Sequence, residues 1–231
     1  MAVASVAISG YLAVCLLFAG IGLLVTHQLG AVTRWDDKVV QSFADNRTSA
    51  LNHWTSYATK VADTFGILIV LVAATIVLFV IRHRWDALFL VLALCLELAT
   101  FLTVNTIVDR PRPAGPRLGS LPSTSSFPSG HTAAMIALYG GLAVLVNAEL
   151  RARLARIVAW VVALVAAAAI GLARVYRGMH HPSDVVAGAL LGFAVLVVAF
   201  VAVRAGQRAA AERQRRHAPS PAPSLDAEVA T

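Results

Sequence analysis

The sequence predicts an all-α, polytopic membrane protein with six transmembrane helices, and three observations predict it. The first is composition: of 231 residues, 58% are hydrophobic and only 13% charged, where a soluble domain carries about a quarter charged residues. The second is a mean hydropathy of +0.75, concentrated in runs long enough to span a hydrocarbon core, which takes about 20 residues of helix. The third is the crowding of arginine and lysine into the connections between those runs. Together these exclude a soluble enzyme, a disordered chain and a nucleic-acid-binding module. The net charge of +7 and isoelectric point near 10.2 are therefore read against a lipid bilayer as partner, with no nucleic acid expected.

The spans fall near Ser5–Thr26, Thr64–Ile81, Ala87–Val104, Thr132–Val146, Leu154–Ala173 and Val185–Val203. No Lys or Arg precedes the first, and its apolar run exceeds the roughly 7–15 residues of a secretion-signal core, so it reads as an uncleaved helix. The fourth is short unless its helix begins earlier, about Ser129. Arg82 and Arg84, then Arg151, Arg153 and Arg156, then the arginines from Arg204 to Arg216 fall on one side, in short connections and a tail. The first loop on the other side is diluted by Asp36, Asp37, Asp45 and Asp63. The other side carries Arg34, Lys38, Arg47 and Lys60 in that loop and the arginines of the later connections, so the count is nearly even. The packing of the first set into short connections with few acids places both termini in the cytoplasm of a multi-pass cell-membrane protein. Residues 1–206 read as one membrane domain. Residues 207–231 read as a basic, then Ala/Pro/Ser-rich, disordered cytoplasmic tail that buries too little apolar surface to fold alone. Cys15 and Cys95 sit inside apolar runs and read as buried thiols rather than a disulfide or metal site. Gly188 and Gly192 give the last span a small-residue face suited to close packing.

Polar residues are costly near lipid and mark function, and here they gather in three clusters. Asn105 to Pro113, with Asp109, Arg110 and Arg112, follows the third span. Pro128-Ser129-Gly130-His131 enters the fourth. Arg174 to Asp184, with His180 and His181, joins the fifth to the sixth. An arrangement of six spans puts all three clusters on one face, the extracytoplasmic one by the basic-residue pattern. Ser129 and Gly130 begin a helix whose free N–H groups suit an oxyanion or phosphate. Arg112 and Arg174 can each grip phosphate through two donors. His131 and His180 supply imidazoles that titrate near working pH. Pro182 suits the first helical position, and Asp184 then accepts from one ring nitrogen of His180, leaving the other free to attack. This set suggests phosphoryl transfer with one histidine as nucleophile and the other as acid. No metal or cofactor is expected, because the arginines repel a cation and no further ligand set converges.

The clusters resemble the three signature motifs of the type 2 phosphatidic acid phosphatase (PAP2) superfamily, whose fold is shared with vanadium haloperoxidases. That pattern is Lys-x6-Arg-Pro, Pro-Ser-Gly-His, and Ser-Arg-x5-His-x3-Asp. Arg112-Pro113 matches the end of the first, Pro128 to His131 the whole second, and Arg174, His180 and Asp184 the third with its spacing. The resemblance runs from about the second span to the sixth and implies a PAP2/haloperoxidase-like helical core. It also implies that His180 attacks phosphorus to form a phosphohistidine and that Asp184 orients it. By the same resemblance His131 protonates the leaving oxygen and then activates water, while Arg112, Ser129, Gly130 and Arg174 hold the phosphoryl oxygens. The sequence departs from the pattern twice. Ala173 stands at the serine position, and Asn105 stands at the lysine position. The second departure removes a full charge, a change worth roughly 100-fold or more in rate at a developing anion. Arg110 is the candidate to replace it.

The expected function is hydrolysis of a lipid phosphomonoester or lipid pyrophosphate, of phosphatidic acid or polyprenyl pyrophosphate type, taken as substrate from the membrane. The rival is a weak or inactive family member that binds lipid phosphates or acts as a scaffold, and Asn105 is the feature favouring it. A transporter is disfavoured, because Glu97 is the one ionisable residue deep in a span. Glu97 reads as a helix-packing group. His181 reads as pointing away from His180, toward a substrate headgroup.

Overall fold

With no water in the hydrocarbon core, each backbone N–H and C=O of a span must pair within the span, which leaves the helix as the local solution for these apolar runs. The computed structural model describes residues 1–217, which form helices joined by short connections and one longer segment, 109–129, with no strand among them. The long spans are α1 (Ala2–His27), α5 (Arg84–Val108), α6 (Gly130–Glu149), α7 (Arg153–Tyr176) and α8 (Pro182–His217). Between α1 and α5 lie α2 (Gly30–Asp45), α3 (Ser49–Val61) and α4 (Thr64–Val80). Among the described residues, five helices are long and apolar enough to cross a membrane, and the α3–α4 pair, bent by 46°, is a sixth candidate. The 17 residues of α4 extend about 26 Å, close to a hydrocarbon thickness. The all-helical membrane architecture expected from the sequence is thus the one adopted.

Two boundaries and one burial differ from expectation. The first long loop is instead two helices, because their apolar and polar residues alternate with helical period and bury one side against the bundle; Val40 and Asp36 of α2 point inward. The last helix does not stop near Gly206 but continues to His217. Its Arg, Ala, Gln and Glu residues are good helix formers, and they extend an existing helix with no new nucleus to form. The rest of the tail expected over 207–231, from Ala218 onward, lies outside the described residues. Finally, Cys15 is buried but Cys95 is exposed on α5, and both thiols are free; in a span, an apolar neighbourhood in sequence includes the lipid side.

The centre of the bundle is α8, which packs against α1, α5 and α6. Gly188 and Gly192 allow this. A Cβ at Gly188 would lie 2.3 Å from the carbonyl oxygen of Ser129, and one at Gly192 would lie 2.7 Å from that of Ala133. Helix α6 widens to a π-turn at Ile136–Gly140, and Gly140 and Gly141 there meet Leu196 and Leu90. At one end of the bundle Gly206 of α8 meets Val3 and Trp85. At the other end Gly22 of α1 meets Val108 and Phe127. The polar clusters all lie at this second end, at the C-termini of α5 and α7 and the N-termini of α6 and α8.

A Cβ at Gly188 would meet the Ser129 backbone and one at Gly192 the Ala133 carbonyl and the Cβ of Ile136, none of which can swing aside. Gly188→Val or Gly192→Val should therefore destabilise the detergent-solubilised protein by about 1–3 kcal/mol or more. Gly20→Ala, with nothing within 4 Å of the new Cβ, should leave it unchanged. Thermal unfolding of the three variants compares them directly.

Candidate active site

The site is organised from behind by charges buried in the protein. Helix α5 ends at Asp109, whose φ of 44° places it in the left-handed region that Asp tolerates better than most residues. The next residue, Arg110, is 2% exposed and lies between two fully buried carboxylates. Its Nη2 donates to Asp36 at 2.8 Å and its Nη1 to Asp184 at 2.6 Å. The hydroxyl of Ser183 also donates to Asp36, and the Ser183 N–H donates to the same carboxylate at 3.0 Å. Three elements are thereby tied together: α2, the segment after α5, and the start of α8.

Asp184 holds further donors. It accepts from the Ser126 hydroxyl at 2.5 Å, the His181 N–H at 2.8 Å and His181 Nδ1 at 3.1 Å. His180 Nδ1 lies 3.8 Å from it, beyond hydrogen-bond range. That nitrogen instead pairs with the backbone carbonyl of Ser126 at 2.8 Å. A carbonyl only accepts, so Nδ1 carries the proton and Nε2 carries the lone pair. The expected direct His180–Asp184 contact is therefore replaced by a relay. Asp184 fixes Ser126 through its side chain, and Ser126 fixes the imidazole through its backbone. Burial pushes the His180 pKa below its ordinary 6.5, with the Asp184 carboxylate opposing the shift. Its imidazole is thus neutral at pH 7.

In front of this layer lies a cavity of about 490 Å³ lined by His131, His180, Arg112, Arg174, Gly130, Lys60, Asp63 and Glu97, with an apolar wall from α4 and α5. The α7–α8 turn brings Arg174 and His180 to it. The turn depends on Gly178, whose φ is +71° and whose Cβ would lie 2.8 Å from the Pro116 carbonyl. Arg47 caps the carbonyl of Tyr176 at the end of α7. Gly130 faces the ring of Phe101, 3.0 Å from where its Cβ would stand, so the chain passes close to the cavity at the start of α6.

The donors are distributed differently from expectation. Arg112 is tied to the Thr124, Ser125 and Met179 carbonyls and the Thr124 hydroxyl. One Nη1 N–H is left, so it cannot grip phosphate through two free donors. Arg174 makes no side-chain hydrogen bond among the described residues, and its buried Nε has no partner. Ser129 does not line the cavity: its N–H donates to the Asp184 carbonyl at 2.9 Å, and its hydroxyl pairs with Thr132 at 3.0 Å. The unpaired first-turn amides of α6 begin at Gly130. Asn105 is also buried away from the cavity. Its amide donates to the Ser125 and Phe127 carbonyls, and its oxygen accepts from the Ser125 N–H, each at 3.0–3.1 Å. A lysine cannot accept that last bond. Arg110, the expected substitute cation, is neutralised by Asp36 and Asp184 and does not line this cavity. His181 is likewise turned into the protein, between Asp184 and Asp37.

Three contributors were not read from the sequence. Asp36 looked like a loop acid, and only the buried face of an amphipathic α2 hints otherwise. Ser126 acts through a carbonyl, which leaves no side-chain signature. Lys60 looked like one basic loop residue among several, but the α3–α4 bend places it at the cavity.

Membrane-spanning helices that open at one end around a cavity of histidines and arginine donors define a membrane phosphatase architecture. Comparison with known proteins makes this specific. Residues 86–208, more than half the chain, match the family model for the PAP2 superfamily, and the chain belongs to that superfamily. It is similar in structure to a transmembrane PAP2-type phosphatidylglycerolphosphate phosphatase from Bacillus subtilis, with 25% identity and a TM-score of 0.72 over 80% of this chain and 92% of that one. It also shares its fold with LpxE from Aquifex aeolicus, at 24% identity and a TM-score of 0.56 over 72% of this chain and 93% of that one. No curated protein matches it by sequence.

Removing one partner from a buried ion network leaves an unpaired charge and costs about 3–5 kcal/mol. Asp36→Ala should therefore lower both thermal stability and activity, although Asp36 does not line the cavity. The His180 imidazole should titrate with a midpoint below 6.5 in ¹⁵N NMR of the labelled protein. Since the unfolded histidine binds its proton at 6.5, His180 favours the folded state above that pH, and this contribution is lost as pH falls through the lower folded value.

Proposed function

We propose that the protein hydrolyses lipid phosphates at the extracytoplasmic face of the membrane, with both termini in the cytoplasm. The observation that carries this reading is the uncommitted Arg174 guanidinium sharing a cavity with His131 and His180. A buried guanidinium with unmet donors is an anion site, and two imidazoles beside it supply nucleophile and acid. In the first step the His180 Nε2 lone pair attacks phosphorus and the bond from phosphorus to the lipid oxygen breaks. His131 gives that oxygen its proton, releasing the lipid alcohol, or the lipid monophosphate if the substrate is a pyrophosphate. In the second step His131 takes a proton from water, the hydroxide displaces His180 from the phosphohistidine, and inorganic phosphate leaves. Arg174, the Gly130 amide and the remaining Arg112 N–H stabilise the phosphoryl oxygens as charge builds on them.

Lys60, on the cavity lining, is the cation available to stand in for the charge that the motif position, now Asn105, lacks. In the unliganded fold its ammonium lies over the Tyr57 ring, 5.8 Å from the centroid, and a bound phosphate would draw it inward from the α3–α4 bend. The apolar wall of Ile67, Leu68, Leu71, Leu94 and Leu98 suits a lipid tail, and this favours a membrane substrate over a free sugar or nucleotide phosphate.

In purified protein, His180→Ala and His131→Ala should each abolish phosphate release from lipid phosphates, and wild-type release should persist in EDTA. Lys60→Ala should raise KM about three- to tenfold, equivalent to roughly 0.7–1.4 kcal/mol at a partly solvated charge. Release that survives His180→Ala would sink the nucleophile assignment. A wild type that releases phosphate from none of phosphatidic acid, phosphatidylglycerol phosphate, lysolipid phosphates and polyprenyl pyrophosphate would leave the binding or scaffold reading.

A further inference from the structure

Glu97 takes no part in the mechanism above, yet it sits in the same cavity wall. It is 4% exposed, lies within the α5 span, and lines the apolar arm of the cavity with Leu94, Leu98 and Leu71. Its carboxyl has no hydrogen-bond or ion-pair partner among the described residues. A buried polar group without a partner is costly to keep, and in a span such groups mark substrate contacts.

Its depth is set by the helix. Phe101, one turn later on the same face of α5, touches Gly130 at the phosphate end. Glu97 is therefore about 6 Å further along the helix axis, in the direction in which a lipid leads away from its phosphate. That distance corresponds to the first few atoms beyond the phosphoester oxygen. A carboxyl oxygen accepts a hydrogen bond whether or not the group is ionised, so the complement is a ligand donor at this depth.

We propose that Glu97 is a specificity-determining residue that accepts a hydrogen bond from a hydroxyl or amide N–H borne by the lipid within a few atoms of its phosphate. This rests on the lipid-phosphatase reading and deepens it. The preferred substrates are lipid phosphates with a free hydroxyl or amide close to the phosphoester. Those in which the same atoms are fully esterified or purely hydrocarbon leave the carboxyl unpaired and are disfavoured, because a buried acceptor discriminates against a ligand that lacks its donor.

The test uses a chain-matched pair, 1-oleoyl-glycerol 3-phosphate and its 2-deoxy analogue, with the full-length protein in mixed micelles. Wild type should prefer the hydroxyl-bearing lipid by at least about tenfold in kcat/KM, mainly through KM. Glu97→Leu, which suits a span, should bring the ratio to near one, while Glu97→Gln, whose amide oxygen still accepts, should keep most of it. A wild-type ratio near one, or a ratio unchanged in Glu97→Leu, overturns the Glu97 assignment and leaves the phosphatase reading standing. Loss of the ratio in Glu97→Gln as fully as in Glu97→Leu also overturns it, because acceptance alone would then not be the determinant. Phosphate release from neither lipid, nor from any other lipid phosphate, overturns the phosphatase reading itself.

Discussion

The arrangement depends on one buried arginine. Arg110 lies between Asp36 and Asp184 with all three side chains shut off from solvent, and a charge in that position is tolerable only while its partners stay in place. Its two ion pairs each reach across 74 positions of sequence. They join α2, the end of α5 and the start of α8, and so determine where Asp184 stands. Asp184 in turn holds Ser126, and the Ser126 carbonyl sets which nitrogen of His180 carries its proton. The His180 imidazole is thus oriented by a chain of contacts whose far end is a helix outside the matched family region, which begins at residue 86.

This network also explains how the cations divide their work. Arginines near a phosphatase site are easily read as phosphate ligands, but a guanidinium has five donors to satisfy and a folded chain offers many carbonyls. Arg110 is closed off by carboxylates, Arg112 mostly by the carbonyls of the connection it braces, and Arg47 by the end of α7. Arg174 keeps its donors open because it leaves the last turn of a helix toward the cavity, where no backbone acceptor reaches it. Openness, rather than charge, sets Arg174 apart from the arginines that brace the fold.

The same accounting bears on Asn105. At the motif's lysine position its loss of charge looked like a defect. In the fold its amide instead pairs with both donors and acceptors of residues 125–127, the segment whose carbonyl holds His180. The position serves the site through the backbone, while Lys60 reaches the cavity lining from the α3–α4 bend. A motif position records where a residue lies in the chain, while the electrostatics of a cavity depend on whatever side chains the fold gathers there.

Much of the protein was legible in one dimension, for physical reasons. A hydrocarbon solvent makes every polar residue conspicuous, so apolar runs marked the spans, and the spacing of Arg174, His180 and Asp184 marked the chemistry. The close-packing face at Gly188 and Gly192 was visible because small residues recur there at helical spacing. The relay from Asp184 to His180 was not visible, because its central element is a carbonyl that every residue possesses. Asp36 and Lys60 were not visible either, since nothing local separates a loop acid from a buried counter-ion, or a surface lysine from one bent over a cavity. The sequence by itself determined the membrane habit, the helical class and the side chains of the family motifs, because solvent partitioning and local spacing act along the chain. Only the tertiary structure decided which of those side chains are free to meet a substrate, because hydrogen bonds are closed by partners that the chain brings together from far apart.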